Sequence, residues 1–240
     1  MNIHLRVQGG FCNRLRAIVS ASLWCEDLSA GLIIYWPEEP GHMACRIEEV
    51  LDTKTIPFLI GYKEGYLANA RQIYKHNDME SLVQEKEILI ESYSIFHNDL
   101  LQKSERALRI LRNIQIVLRT PLPDYGVNGD MVGVHIRRTD HVKCIAASPL
   151  ASFEDCVKEI IGQGTTVYLA TDEMEVKKLF VEKYGVVSPI DILGRRTKAQ
   201  QIYGIMEWLL LQKCSCIYAS AGSSFSELAA WRAGIPLYIV

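Results

Sequence analysis

The chain has 240 residues, 49% of them hydrophobic and 22% charged, with 26 Lys and Arg set against 28 Asp and Glu. That length allows one large domain or two small ones with a self-sufficient core; the composition excludes wholesale disorder, and a chain without a basic excess is a poor match for nucleic acid. No apolar run approaches the roughly 18 residues of a membrane-spanning helix, and Met1-Asn2-Ile3-His4-Leu5-Arg6 lacks the charged-then-apolar layout of a signal peptide.

In chain order, the apolar runs and their spacing predict a strand at Ile3–Gln8, a helix at Asn13–Leu28, strands at Leu32–Trp36 and Ile88–Tyr93, and a helix at Asn98–Leu118. Thr120-Pro-Leu-Pro-Asp-Tyr-Gly-Val-Asn-Gly129 then reads as a linker or sharp turn. Beyond it come a strand at Val132–Ile136, a helix at Phe153–Ile161, a strand at Thr166–Ala170 and a helix at Glu173–Tyr184. A strand at Val187–Leu193, a helix at Ala199–Lys213, a strand at Ile217–Ala219, a helix at Phe225–Ala233 and a strand at Pro236–Val240 complete the chain.

Such alternation means an α/β protein with parallel sheets covered on both sides. Two small Rossmann-like domains are expected, residues 1–125 and 126–240, facing each other across a central cleft, with ligands beyond the carboxyl ends of the strands. Seven cysteines, most of them in apolar stretches, read as buried reduced thiols and point to the cytosol. No residue set has the spacing of a zinc site, a P-loop or a nucleophile elbow.

Four segments carry candidate chemistry. In Val7-Gln-Gly-Gly-Phe-Cys-Asn-Arg14, Gly9 and Gly10 separate a strand from a helix. They would let a ligand approach the backbone, or would simply make a tight turn with Asn13 as cap. In Gly133-Val-His-Ile-Arg-Arg-Thr-Asp140, His135, Arg137, Arg138 and Asp140 gather at a strand end. A guanidinium fork there matches phosphate oxygens, while the alternative is an Arg–Asp structural pair.

Thr171-Asp172-Glu173 caps the next helix or meets a sugar hydroxyl or metal ion. In Ala219-Ser-Ala-Gly-Ser-Ser-Phe-Ser-Glu227, Ser224 and Glu227 fit a capping box, and Ser223 and Ser224 can also hold a phosphate. Arginines, hydroxyls and loops together suggest a phosphorylated ligand handled without covalent catalysis.

At this point the sequence resembles the α1,6- and protein O-fucosyltransferase superfamily. GVHIRRTD is similar to the first motif of the α1,6 enzymes, VYLATDE to the second and GSSFSELA to the serine-rich third, while QGGFCNRL followed by LIIYWP resembles the N-terminal Gly loop and second strand of bacterial members. The resemblance spans most of residues 3–36 and 131–236.

It implies a GT-B-like fold and an inverting, metal-independent transfer of fucose from GDP-fucose to a glycan or glycoprotein hydroxyl, with no cofactor or metal. Arg137 would be the essential arginine on the donor pyrophosphate. His135, Arg138, Asp140, Asp172, Ser223, Ser224 and Phe225 would surround the donor, and Gly9, Gly10, Asn13 and Arg14 would line the N-terminal loop. Glu207 falls where the family carries an acidic guanine reader, usually Asp, and its place off the stripe of Ile202, Ile205, Met206, Leu209 and Leu210 leaves it facing a ligand or solvent. The acidic acceptor base of some members is replaced here by Lys143-Cys-Ile, leaving His141 as the nearby candidate. Three other readings stand beside this one: another nucleotide sugar on the same scaffold, an inactive sugar- or nucleotide-binding module, and a metal-dependent transferase using Asp172 and Glu173.

Overall fold

The computed structural model describes residues 1–54, 56, 58–61, 71–73 (backbone alone), 85–118, 125–139, 142–189 and 197–240. They fall into two compact units, Met1–Thr120 and Pro121–Val240. Among the described residues no helix is long and apolar enough to cross a membrane, and all seven cysteines are free.

The first unit runs β1 (Asn2–Val7), α1 (Phe11–Leu28), β2 (Gly31–Tyr35), a 3-10 turn at Ile47–Glu49, β3 (Leu59–Ile60), β4 (Arg71–Ile73), β5 (Glu87–Ser92), α2 (Asn98–Leu101) and α3 (Glu105–Asn113). Its five strands lie in the order β3-β2-β1-β5-β4, every pairing parallel. The expected helix at Asn98–Leu118 is in fact two. Lys103 adopts a left-handed φ of 52°, and the Ser104 hydroxyl accepts from Ala107 N to start a new helix. The amphipathic pattern runs through this break, so periodicity alone could not place it.

The second unit runs β6 (Val132–Ile136), α4 (Val142–Ala147), α5 (Leu150–Gly162), β7 (Val167–Thr171), α6 (Met174–Tyr184), α7 (Lys198–Leu211), β8 (Cys216–Ala219), α8 (Ser224–Ala233) and β9 (Leu237–Ile239). The sheet order is β7-β6-β8-β9, again all parallel. Of the strand expected at Val187–Leu193, the described part contributes a single bridge from Val187 to Tyr168, and residues 190–193 lie outside the described set.

One face of this sheet buries Val134, Ile136, Val167 and Leu169 against Phe153 and Val157 of α5 and Val176 and Phe180 of α6. Each such side chain removed from water is worth about 1.5–3 kcal/mol. On the opposite face Gly133 lets α7 approach closely. A methyl group there would sit 3.0 Å from Leu211 Cδ2 and 3.3 Å from both Cys214 Sγ and the Cys216 carbonyl.

Register decides what this unit can do. His135 lies opposite Ala170 on one side and Ala219 on the other, and Ile136 lies opposite Thr171. The residue after each strand is polar: Arg137 and Asp172 stand level with each other, and Ser220 stands one residue earlier, level with Ile136.

The close approach at Gly133 is testable. Gly133→Ala overpacks the α7 face, where one neighbour is backbone and cannot rotate away, and should cost about 1–3 kcal/mol in urea unfolding. A variant as stable as the parent would show that the helix has room to move.

Candidate functional site

The site grows from the carboxyl edge of the second sheet. Asp172, expected as a helix cap, metal ligand or donor contact, turns toward the loop after β6. Its Oδ1 accepts from Arg138 N at 2.8 Å, and its Oδ2 accepts from Thr139 N at 3.3 Å and Thr139 Oγ1 at 2.6 Å. The residue at the start of α6 is Glu173, which makes no side-chain cap bond. Asp172 therefore anchors the loop that carries the arginines.

Ser220 fastens the same loop from the other side. Its Oγ accepts from Arg137 N at 3.0 Å, while its own N–H donates to the His135 carbonyl at 3.1 Å. Ser148, fully buried ahead of α5, accepts from Ala221 N through Oγ at 2.9 Å and from Arg138 Nη1 through its carbonyl at 3.4 Å. Arg137 is thus held at its backbone on a strand end, with its side chain half-buried. Asp140 and His141 lie outside the described residues.

Beside Arg137, His135 is buried and its ring stacks on Phe225 at 4.8 Å between centroids, 29° from parallel. Burial pushes its pKa down to about 4, with Asp172 pulling it up and Arg137 pushing it further down. The ring is neutral at physiological pH, and its Nδ1 has no hydrogen-bond partner among the described residues.

Two residues before Phe225, Ser223 is the true cap position of α8, displacing the expected Ser224–Glu227 box by one residue. It makes no side-chain cap bond, and its Oγ is buried without a hydrogen-bond partner among the described residues. Ser224 opens the helix, half-exposed. Two unpartnered buried polar atoms, a helix start with uncapped N–H groups and an arginine on a fixed loop are what a diphosphate ester needs.

Glu207 departs from expectation. It is neither solvated nor on a polar face: α7 buries Ile205, Met206, Glu207, Trp208, Leu210 and Leu211, while Ile202 and Leu209 are only half-buried. Its Oε1 accepts from the wholly buried Lys177 Nζ of α6 at 2.6 Å. The neighbouring Trp208 donates through Nε1 to the Phe225 carbonyl at 3.0 Å, which ties this part of α7 to the start of α8.

The N-terminal glycine loop is already occupied by the chain itself. Gly9 takes a left-handed φ of 73°, and its N–H donates to Glu39 Oε2 at 3.2 Å. Gly10, not Asn13, caps α1, and Asn13 lies half-buried in the first turn.

Arg14 turns inward. Its guanidinium donates to the Gly9 and Pro37 carbonyls, both at 2.8 Å, pairs with Glu39 at 3.2 Å and lies 4.7 Å over the Trp36 ring. Burial lowers its pKa to about 10, against the pull of Glu39. The Gly9 N–H ahead of this helix start is taken by the Glu39 carboxylate, and Arg14 braces the loop from within.

Sequence reasoning missed Lys177, Ser220, Ser148 and Glu39. Lys177 did leave a trace, since it is in helical phase with Phe180, Val181 and Tyr184. The other three are joined to their partners across long stretches of chain and left none.

Known structures share this architecture. The chain is similar to NodZ α-1,6-fucosyltransferase co-crystallised with GDP (TM-score 0.64, 15% identity, 95% of this chain and 91% of that one). It is similar to fucosyltransferase NodZ from Bradyrhizobium (0.61, 14%, 95% and 91%) and to POFUT1 in complex with GDP (0.62, 10%, 99% and 98%). The fold is GT-B-like. No family model matches the chain, and no curated protein matches its sequence.

His135 makes a pH prediction. The unfolded chain takes up a proton there near pH 6.5, whereas the fold resists it down to about 4. Stability contributed by the neutral ring is present above 6.5 and is lost as pH falls through that window, by at most about 1.4 kcal/mol per pH unit. Urea melts of His135→Gln should lose less stability than wild type between pH 6.5 and 4, and an unchanged slope would mean that His135 is not held neutral.

Proposed function

We propose that the chain is an inverting, metal-independent glycosyltransferase that moves fucose from GDP-fucose to a hydroxyl of a glycan or glycoprotein. The observation that carries this reading is the edge after β6 and β8: Arg137 fixed at its backbone by Ser220, beside the buried, unpartnered Ser223 Oγ and His135 Nδ1. The fold shared with NodZ and POFUT1, both solved with GDP, supports the donor.

Cleaving the sugar–phosphate bond leaves a nucleoside diphosphate with growing negative charge. Arg137 is the group proposed to receive it, as a permanent cation whose two parallel N–H donors match phosphate oxygens. Ser223, Ser224 and the uncapped N–H groups of α8 complete the diphosphate contacts. His135 and Phe225 give the nucleoside a neutral, stacked wall. Glu207 accepts the guanine N1–H and 2-amino group.

Direct attack by the acceptor hydroxyl from the opposite face inverts the anomeric centre, with His141 the proposed base. Metal independence follows from Arg137 supplying the positive charge, and from Asp172 already accepting three hydrogen bonds from its loop. The free thiols suit a reducing compartment, which we take to be the cytosol.

Transfer from labelled GDP-fucose, or slow hydrolysis without an acceptor, is the test. Arg137→Ala should cost on the order of 10²–10³ in rate with little loss of stability, and Arg137→Lys should rescue poorly, because an ammonium is a point charge without the fork. Activity should survive excess EDTA. Normal turnover by Arg137→Ala would remove the leaving-group role, loss in EDTA would favour a metal at Asp172, and GDP binding with no turnover under any condition would mean a binding module.

A further inference from the structure

Lys177 is fully buried, and a buried lysine is costly unless each proton of its ammonium finds an acceptor. Nζ donates to Glu207 Oε1 at 2.6 Å and to the Pro189 carbonyl at 2.9 Å, and lies 5.2 Å from the centre of the Tyr203 ring. It joins α6, α7 and the segment after α6 through one charge. Replacing such a pair by apolar residues of equal volume is often neutral or stabilising, so stability alone is a weak reason for its presence. Recognition supplies a stronger one.

Guanine offers two donors side by side, N1–H and the 2-amino group, and needs an ionised carboxylate facing them. A protonated carboxyl would turn an O–H toward N1–H and lose one of the two bonds. The surroundings of Glu207 favour the protonated form. Its side chain is 8% exposed. Asp172 at the end of β7 repels a negative charge, Tyr168 of β7 presses against the same site with its hydroxyl buried and without a hydrogen-bond partner among the described residues, and Tyr203 lies one turn earlier on α7. Burial raises the Glu207 pKa to about 7, and among the described residues the opposing pull comes from Lys177.

We propose that Lys177 is a positioning residue for the nucleotide base: it holds Glu207 by Oε1, keeps it ionised and directs the carboxylate at guanine, so that the preference for guanine nucleotides rises with pH through neutrality. This rests on Glu207 being the base reader. The longer glutamate arm, where the resembling family usually carries Asp, is what lets one carboxylate span the ammonium and a ligand.

The experiment is the ratio of GDP to UDP affinity, by calorimetry, from pH 5.5 to 8.5. UDP carries the same diphosphate, so phosphate titration cancels and the ratio reports the base alone. In wild type the ratio should climb severalfold, by at most about tenfold, between pH 6 and 8. In Lys177→Met its midpoint should move up by one unit or more, with the ratio at pH 7 falling by about fivefold. Lys177→Arg, which keeps the charge, should hold the midpoint within about half a unit.

A wild-type ratio well above one that does not change between pH 6 and 8 overturns the proposal by itself, whether or not Lys177→Met folds. A Lys177→Met curve that superimposes on wild type overturns it too, leaving Lys177 a purely structural contact. A wild-type ratio of one at every pH overturns it differently, by removing Glu207 as the base reader. Glu207→Gln, which cannot ionise, should give a low ratio independent of pH.

Discussion

The carboxylate of Asp172 ends one strand and holds the beginning of the loop after its neighbour, accepting from Arg138 N, Thr139 N and Thr139 Oγ1. It can do so because β6 and β7 are parallel and in register, so Ile136 and Thr171 finish side by side. Ser220 exploits the same alignment on the other flank of β6. A loop bearing two arginines would ordinarily sample many conformations, with an entropic cost each time a ligand ordered it. Clamped at three consecutive backbone N–H groups, it carries Arg137 on a fixed backbone, and preorganisation of charge is where catalytic advantage in group transfer usually arises.

The two units use similar architecture for different ends. Each has a parallel sheet with a glycine- or serine-containing turn leading from a strand to a helix. In the first, Glu39 accepts from Gly9 N just ahead of α1 and pairs with the buried Arg14. In the second, Ser223 makes no side-chain cap bond and its hydroxyl has no partner among the described residues. The glycine loop and the serine loop do not reveal that difference when read as sequence.

What was legible follows from the range of the interactions involved. The cores of most strands were readable because buried parallel strands are short apolar runs, and Arg137, His135 and Ser223 stood out as polar residues placed where such runs stop. Helix starts at Phe11 and Leu150 were read late, since Gly10 and Pro149 occupy positions usually given to Ser, Thr, Asp or Asn. Partners far apart in sequence were not readable at all. The inward partner of Arg14 was hidden because Glu39 is 25 residues away, and the counter-ion of Glu207 because the buried Lys177 lies 30 residues back. A single charged side chain in a helix looks solvated until its counter-ion is located.

We propose that the carboxyl edge of the second sheet receives the diphosphate. A crystal structure of the complex with GDP tests it most directly. Phosphate oxygens should then lie within hydrogen-bond distance of the Arg137 guanidinium and Ser223 Oγ, with Glu39 still seated on Gly9. A diphosphate bound at the Gly9–Gly10 loop in place of the Glu39 carboxylate would contradict it.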